Sequence, residues 1–212
     1  MTETIPPHSG PRTKGRVLHS AAGYDILAWL LLLGRERAFR KRLVGLARLQ
    51  SGESVLDIGC GTGSLAIAAA RRVGSAGAVH GIDASPEMIA RAGKKARKAG
   101  LDVTFATGVV EALPFPDGHF DAVLSTLMLH HLPRDARRQC AREVRRVLKP
   151  GGRVLAVDFG RATRKGLVEH FHRHGRVDMD DIVALLSEAE FDIVESGAVG
   201  VRELHFVLAT AG

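Results

Sequence analysis

The stretch of sequence that decides the fold is Val55–Gly63, VLDIGCGTG, which leads directly into the apolar stretch Ser64–Ala70, SLAIAAA. An apolar run, alternating glycines and a second apolar run predict a buried strand, a tight turn and the start of a helix. Glycine lets the backbone approach a ligand where a Cβ would collide with it. The helix start offers unpaired N–H groups and the positive end of the helix dipole. We therefore expect a ligand-binding turn with Asp57 at its mouth, where a carboxylate suits a cationic amino group.

The glycine pattern alone fits more than one class of protein. Gly61-x-Gly63-x-x-Ala66 also satisfies the dinucleotide fingerprint, so a generic Rossmann-type turn or an NAD site stays open at this point. Asp83 ends the next predicted strand, at a position where an acid can accept hydrogen bonds from both ribose hydroxyls. The two features together predict a site for a cofactor that contains a nucleoside.

Strand and helix patterns alternate along the rest of the chain, which favours a parallel sheet covered on both faces. The further predicted strands are residues 78–83, 103–106, 120–125, 153–157, 191–196 and 202–209. The link between the last two is too short for a helical crossover, so these strands should be antiparallel. We predict an α/β fold with a Rossmann-like, seven-stranded, mostly parallel sheet, helices on both faces and a C-terminal antiparallel hairpin.

The N-terminal part differs in composition from the remainder. Residues 1–16 contain Pro, Gly and Ser and are predicted to be a flexible arm, residues 17–50 are predicted to be helices that cap the substrate side, and residues 51–212 are predicted to be the cofactor-binding domain. The apolar segment Tyr24–Leu33 is followed by a basic cluster in residues 35–42. These helices would pack on the core with a solvated basic face, cover the substrate, or lie on a membrane surface.

Composition restricts the class of protein. The chain has 212 residues, 45% of them hydrophobic, which suits one globular domain. The net charge of +7 comes without interleaved aromatic and basic residues, so no specific nucleic acid is expected as a partner. No apolar run reaches the roughly 18 residues that span a bilayer. We expect a cytoplasmic protein, with peripheral membrane contact through its N-terminal helices as an alternative, and the oligomeric state stays open.

Cysteine and histidine content bears on redox state and metals. Cys60 and Cys140 are the only cysteines, and their positions in a turn and a predicted helix do not suggest a structural disulfide. His170, His172 and His174 would share one face if extended, but no cysteine or nearby acid completes a ligand set. No metal is therefore expected.

Four segments between residues 53 and 158 together resemble the class I S-adenosylmethionine (SAM)-dependent methyltransferases. They are residues 55–63, 108–115 (GVVEALPF), 120–132 (FDAVLSTLMLHHL) and 148–155 (LKPGGRVL). Their order and spacing are similar to those of the menaquinone/ubiquinone-biosynthesis C-methyltransferases and the bacterial phosphatidylethanolamine N-methyltransferases. The resemblance implies an enzyme that binds SAM, transfers its methyl group to a small or lipophilic acceptor and releases S-adenosylhomocysteine.

The resemblance also implies roles for individual residues. The glycine turn would hold the methionine end of SAM, Asp83 its ribose and Met88 a face of its adenine. Val109 stands where these families usually carry an Asp for the adenine amino group. Tyr24 would close over SAM. The implied cofactor-binding residues are Tyr24, Asp57, Gly59, Cys60, Gly61, Gly63, Asp83, Ala84, Met88, Gly108, Val109, Val110, Glu111, Ser125, Thr126 and His130.

The candidate catalytic residues are His130, His131 and Asp158, with His205 as a further possible base. A base helps where the acceptor holds a proton, while the alternative for each is a packed or solvated side chain. Two other functions stay open, a nucleotide-dependent oxidoreductase and a non-catalytic SAM-binding module. The acceptor and the acceptor atom are not given by the sequence.

Overall fold

The computed structural model describes Thr13, Gly15, residues 36–160, residues 179–201 and residues 204–212. The strands in this part are β1 (Ser54–Ile58), β2 (Ala78–Asp83), β3 (Thr104–Thr107), β4 (Phe120–Thr126), β5 (Leu148–Phe159), β6 (Phe191–Ala198) and β7 (Leu204–Ala211). The α-helices in the same part are α1 (Glu36–Leu46), α2 (Ser64–Val73), α3 (Pro86–Lys98), α4 (Arg134–Val147) and α5 (Met179–Glu188), and a 3₁₀ turn covers Leu129–His131.

The seven strands form one sheet in the order β3-β2-β1-β4-β5-β7-β6. Strands β1 to β5 run parallel, whereas β7 pairs antiparallel with both β5 and β6. The predicted fold, including the C-terminal hairpin, is confirmed. The strand order reverses between β1 and β4, and open α/β sheets bind ligands outside the carboxyl ends of the strands at such a point.

Side chains alternate between the two faces of the sheet, and each face carries its own apolar cluster. On β1, Leu56 and Ile58 belong to the cluster that contains residues of α4 and α5, whereas Val55 belongs to the cluster that contains residues of α1 and α2. Two apolar layers against a central sheet are the arrangement that a mostly buried parallel sheet needs. The predicted helices on both faces are therefore confirmed.

One segment departs from its predicted structure. The strand predicted over residues 153–157 is longer in the structure, because β5 already begins at Leu148, directly after α4. Leu148 is buried and pairs with Phe120, and the register between β4 and β5 shifts between Phe120 and Ala122. Residues 149–152 are therefore part of β5, next to the register shift, and the pairing of buried Leu148 extends the strand back to the end of α4.

Several predictions lie outside the described residues, including those on Tyr24, the segment 24–33 and the histidines at 170, 172 and 174. Of the predicted capping helices, α1 is described, and its Phe39 and Leu43 are buried in the same cluster as Val55. The three-part division of the chain stays a prediction. None of the helices in the described ranges is long and apolar enough to cross a membrane.

Candidate functional site

A crevice lies at the carboxyl ends of β1, β2 and β4. It brings together residues that are far apart in the sequence, most of them among the predicted site residues. Its walls include Gly59, Gly61, Asp83, Ala84, Met88, Gly108, Val109, Val110, Thr126 and His131. This position matches the point at which the strand order reverses, so the topology and the local geometry indicate the same site.

The glycine turn after β1 forms one wall. Gly61 has a φ of 52° and Gly59 a φ of 63°, both in the left-handed region that disfavours residues with a Cβ. A Cβ on Gly59 would also collide with the side chain of Met128 on the opposite wall. Lys95 of α3 donates from Nζ to Thr62 Oγ1 at 2.7 Å, which fixes the turn from its outer side. The backbone here is both exposed to the crevice and held in place.

Asp83 connects two walls of the crevice. Its Oδ2 accepts the N–H of Gly61 at 2.9 Å, and its Oδ1 accepts the N–H of Ser85 at 2.9 Å. A carboxylate has about four lone-pair sites, so acceptor capacity is left for a ligand hydroxyl. Burial raises the pKa of Asp83, while the two N–H donors lower it. The geometry suits a group that accepts hydrogen bonds from a ribose, as the sequence predicts.

Asp57 lies at the carboxyl end of β1, but its side chain is buried, and its part in binding a cofactor stays a prediction. The side chain is 2% exposed and is not among the described residues that line the crevice. Burial raises the pKa of Asp57 to about 7, against the lowering effect of the Arg40 charge and the Ala66 N–H. Its Oδ2 makes no hydrogen bond within the described part of the chain. The Ala66 N–H that Asp57 accepts connects the end of β1 to the first turn of α2.

The opposite end of the crevice is mostly apolar. Met88 and the adjacent Val109 and Val110 are buried, and all three contribute to its walls. The Gly108 N–H donates to the carbonyl of Asp83 at 3.0 Å, which holds this segment against the end of β2. Apolar side chains on two sides suit the flat face of an aromatic base.

Two residues of the predicted flexible arm belong to the same wall. Thr13 Oγ1 donates to Glu111 Oε1 at 2.8 Å, and the Gly15 N–H donates to Thr13 Oγ1 at 2.9 Å. Both residues line the crevice, and Gly15 lies so close to Leu132 that a Cβ would be 2.7 Å from Leu132 Cδ2. This contribution was not predicted, because nothing in a Thr-x-Gly tripeptide indicates a partner 98 residues away.

The segment after β4 forms the remaining wall. Leu127 has a φ of 55°, unusual for a residue with a Cβ, and its N–H donates to the Val157 carbonyl at 2.8 Å. Strained backbone of this kind concentrates at ligand sites. Ser125 is buried, and neither its Oγ nor Thr126 Oγ1 has a hydrogen-bond partner in the described ranges. Of the two, Thr126 faces the crevice.

His130 and Asp158 form a pair beside the crevice. His130 Nδ1 lies 2.8 Å from Asp158 Oδ1, and the His130 N–H donates to Asp158 Oδ2 at 3.2 Å. Asp158 is fully buried, whereas the His130 side chain is 19% exposed to solvent. The ring of His131, which does line the crevice, lies 4.0 Å from that of His130 between centroids. The three candidate catalytic residues therefore lie together.

Other predicted residues lie away from the crevice wall. The Cys60 thiol lies so close to Gly81 that a Cβ on that glycine would be 3.0 Å from Cys60 Sγ. Burial raises the pKa of the Cys60 thiol well above its usual value. Gly63 is buried at the start of α2, between Ala92 and Phe105. His205 lies opposite Asp158 in the β5–β7 pairing. In the described ranges, no cluster of three or more His, Cys, Asp or Glu side chains is placed to hold a metal ion.

Comparison with known proteins agrees with this geometry. Residues 55–152 match a methyltransferase domain model. The ubiquinone/menaquinone biosynthesis C-methyltransferase UbiE of Bordetella avium is 35% identical over 163 residues, which are 76% of this chain and 63% of that protein. The crystal structure of the YcgJ protein of Bacillus subtilis is 30% identical, with a TM-score of 0.63 over 76% of this chain and 72% of that one. A SAM-dependent methyltransferase structure from Methanosarcina mazei is 26% identical, with a TM-score of 0.67 over 76% of this chain and 93% of that one.

The chain contains a methyltransferase domain and resembles the class I SAM-dependent methyltransferases. The chain spans about 63% of the length of the B. avium relative. Its crevice fits SAM on observations of its own: a bare backbone turn at Gly59 and Gly61, an acid with spare acceptor sites at Asp83, and an apolar end at Met88 and Val110.

Proposed function

We propose that the protein transfers the methyl group of SAM to a small or lipophilic acceptor. The observation that carries this proposal is the hydrogen bond between Asp83 and the Gly61 N–H. It joins the acid expected to bind the ribose to the turn expected to bind the methionine end, across the crevice where the strand order reverses. Bound SAM would supply an electrophilic methyl group on a sulfonium.

The residues of the crevice suit the three parts of SAM. Gly59 and Gly61 would receive the methionine end, Asp83 the ribose, and the pocket of Met88, Val109 and Val110 the adenine. Val109 brings no side-chain acceptor for the adenine amino group, so base recognition would rest on backbone groups and apolar contact. The Thr13–Glu111 hydrogen bond would close the crevice from the side of the N-terminal arm.

The acceptor end supports a lipophilic partner. Leu127, Met128 and Leu132 give it apolar walls. The B. avium relative carries a name that refers to ubiquinone and menaquinone biosynthesis. An acceptor of that solubility would be delivered from a membrane surface, and the N-terminal segment 17–50 would provide peripheral contact and cover the substrate side. In this proposal residues 51–212 form the catalytic domain of a cytoplasmic protein.

The test is methyl transfer from SAM labelled on its methyl group. The purified protein is incubated with 1,4-naphthalenediol, with phosphatidylethanolamine vesicles and with bulk transfer RNA, and the label in each product is counted. We expect label in the diol or the lipid, and none in any product with the Gly61→Val variant. Label in RNA would contradict the acceptor class. SAM binding without transfer to any probe would favour a non-catalytic binding module.

A further inference from the structure

We propose that His130 is the general base of the reaction and that Asp158 is the positioning residue that gives it the correct tautomer. The acceptor would then be a compound whose reacting atom is activated by loss of an O–H proton, such as a phenol, an enol or a hydroquinone. This inference rests on the proposed function and deepens it. It is carried by the contacts between the 3₁₀ turn and the end of β5.

Asp158 makes a dense set of hydrogen bonds for a fully buried carboxylate. Oδ1 lies 2.8 Å from His130 Nδ1 and accepts the Phe159 N–H at 2.8 Å, and Oδ2 accepts the His130 N–H at 3.2 Å. Two of these donors are backbone N–H groups, which orient the carboxylate independently of the imidazole. A buried carboxylate with such donors is a fixed acceptor.

This fixed acceptor decides where the imidazole carries its proton. A neutral imidazole has one N–H and one lone pair. Because Nδ1 faces a carboxylate oxygen, Nδ1 must carry the proton, and Nε2 must carry the lone pair. Within the described residues Nε2 makes no hydrogen bond, and the side chain retains 19% exposure. The pair of His130 and Asp158 therefore presents a basic nitrogen beside the crevice.

The turn that carries His130 is held rigidly. Arg137 of α4 donates from Nε to the carbonyls of Leu129 and Leu132 at 3.0 and 2.8 Å, on either side of the histidine pair. The edge of the Phe159 ring contacts His130, with centroids 5.3 Å apart. Among the described residues, the charged or titratable groups near His130 and Asp158 are His131 on the turn, Arg137 on α4 and His205 on β7. The charges of Asp181 on α5 and Arg134 on α4 act on Arg137.

In the proposed step, an electron pair of the acceptor forms the new bond to the methyl carbon. The bond between sulfur and the methyl carbon breaks, and its electron pair stays on sulfur. The acceptor O–H proton passes to His130 Nε2, and the resulting imidazolium is stabilised by Asp158, which keeps its own charge. The proton later leaves to solvent. A tertiary amine acceptor has no proton to lose and would not need the base.

The first test reads the tautomer directly and needs neither SAM nor acceptor. Nitrogen-15 NMR of histidine-labelled protein, assigned with His130→Gln, should show His130 protonated at Nδ1 in its neutral form. In Asp158→Asn this preference should be lost, while the signals of the exposed His119 stay unchanged. A neutral His130 protonated at Nε2 in the unmodified protein would overturn the proposal.

The second test separates acceptor classes. With 1,4-naphthalenediol, His130→Gln should reduce kcat about 10²–10⁴-fold, the range for loss of a general base. Asp158→Asn should lower kcat and shift the limb of the pH–rate profile on which kcat rises with pH. His119→Gln should change neither kcat nor the profile. Dimethylaminoethanol, a tertiary amine with no proton to lose at nitrogen, should be a poor acceptor for the unmodified protein, and transfer to it that matches transfer to the diol would contradict the proposed acceptor class.

The experiments distinguish a failure of the base assignment from a failure of the proposed methyltransferase function. If the unmodified protein methylates the diol and His130→Gln does so equally well, the base assignment is wrong and the methyltransferase function stands. If the unmodified protein methylates no probe and binds no SAM, the proposed function itself fails, and the NMR result still decides the tautomer. Should the His130 or Asp158 variant fail to fold, as seen by circular dichroism, the tautomer measured in the unmodified protein decides.

Discussion

Asp83 at the end of β2 accepts the backbone N–H of Gly61, in the turn after β1, at 2.9 Å. The other carboxylate oxygen of Asp83 accepts the N–H of Ser85, whose own Oγ caps α3 by accepting the Met88 N–H at 3.3 Å. One side chain thus fixes the glycine turn, the start of α3 and the position of Met88. The parts of the crevice expected to bind the methionine end, the ribose and the adenine are therefore positioned together.

Asp83→Ala should weaken SAM binding roughly 10–100-fold, since hydrogen bonds to a charged group contribute about 1.5–3 kcal/mol. Isothermal titration calorimetry gives the affinity, and urea unfolding shows how much stability the loss of the Gly61 and Ser85 contacts removes. Glu87→Ala, which removes an exposed carboxylate from the first turn of α3, is the matched control and should leave the affinity unchanged. Equal affinity of Asp83→Ala and the unmodified protein would remove Asp83 from the ribose site.

Gly61→Val should abolish SAM binding, because a β-branched side chain at a φ of 52° strains the turn and projects into its ligand-binding concavity. The control is Gly118→Val, at a φ of 60° and with no atom within 4 Å of its Cβ, far from the crevice. Both variants should lose stability to a similar extent. SAM binding that survives in Gly61→Val as it does in Gly118→Val would show that the turn does not bind the cofactor.

Thr13→Val removes the hydroxyl that donates to Glu111 while nearly preserving side-chain shape. The loss of one hydrogen bond of about 0.5–1.5 kcal/mol should weaken SAM binding about 2–10-fold, mainly through faster dissociation. Surface plasmon resonance or stopped-flow fluorescence measures that rate. Thr104→Val, at an exposed position on β3, should have no effect. If the two variants dissociate from SAM at the same rate, the arm does not close the crevice.

Asp57 should make the protein less stable as the pH rises. Its pKa is raised by burial from 3.8 to about 7, so the native state binds the proton more tightly than the unfolded state. The stability from this group is present below pH 4 and is lost as the pH rises through 7, by up to about 4 kcal/mol. Urea unfolding between pH 4 and pH 8 should show this slope, and Asp57→Asn should remove it.

Asp121 provides a control of opposite sign. Burial alone would raise its pKa, but the hydrogen bonds from Lys149 and the Ser54 N–H, with the charges of Lys149 and Arg153, lower it overall. Its stabilising contribution is therefore present above the unfolded pKa and is lost as the pH falls. Asp121→Asn should destabilise most at neutral pH. A stability profile that is the same in Asp57→Asn and the unmodified protein would contradict the raised pKa of Asp57.

Much of the fold could be predicted because its signals are local. The glycine turn, the acid ending β2, the Ser85 cap and the short link before the last strand are each contained within a few residues. The burial of Asp57 had a local signal too: side chains alternate along a strand, so Asp57 shares the face of Val55, which packs against α2. That alternation indicates that Asp57 is buried on this face of the sheet.

The remaining features depend on tertiary contacts. Thr13 meets Glu111, which lies 98 residues further along the chain, and His130 in the 3₁₀ turn meets Asp158 in β5, 28 residues further along. The positive φ of Leu127 is imposed by its N–H bond to Val157 on the neighbouring strand, against the preference of the residue itself. No pattern within a short window of sequence carries information of this kind.

Calorimetric titration of the purified protein with SAM, S-adenosylhomocysteine and NADH tests the central claim most directly. We predict saturable binding of SAM and S-adenosylhomocysteine with one site per chain, strongly weakened in Asp83→Ala, and no binding of NADH. Binding of NADH with no heat from SAM would contradict the assignment of the crevice and all that is built on it.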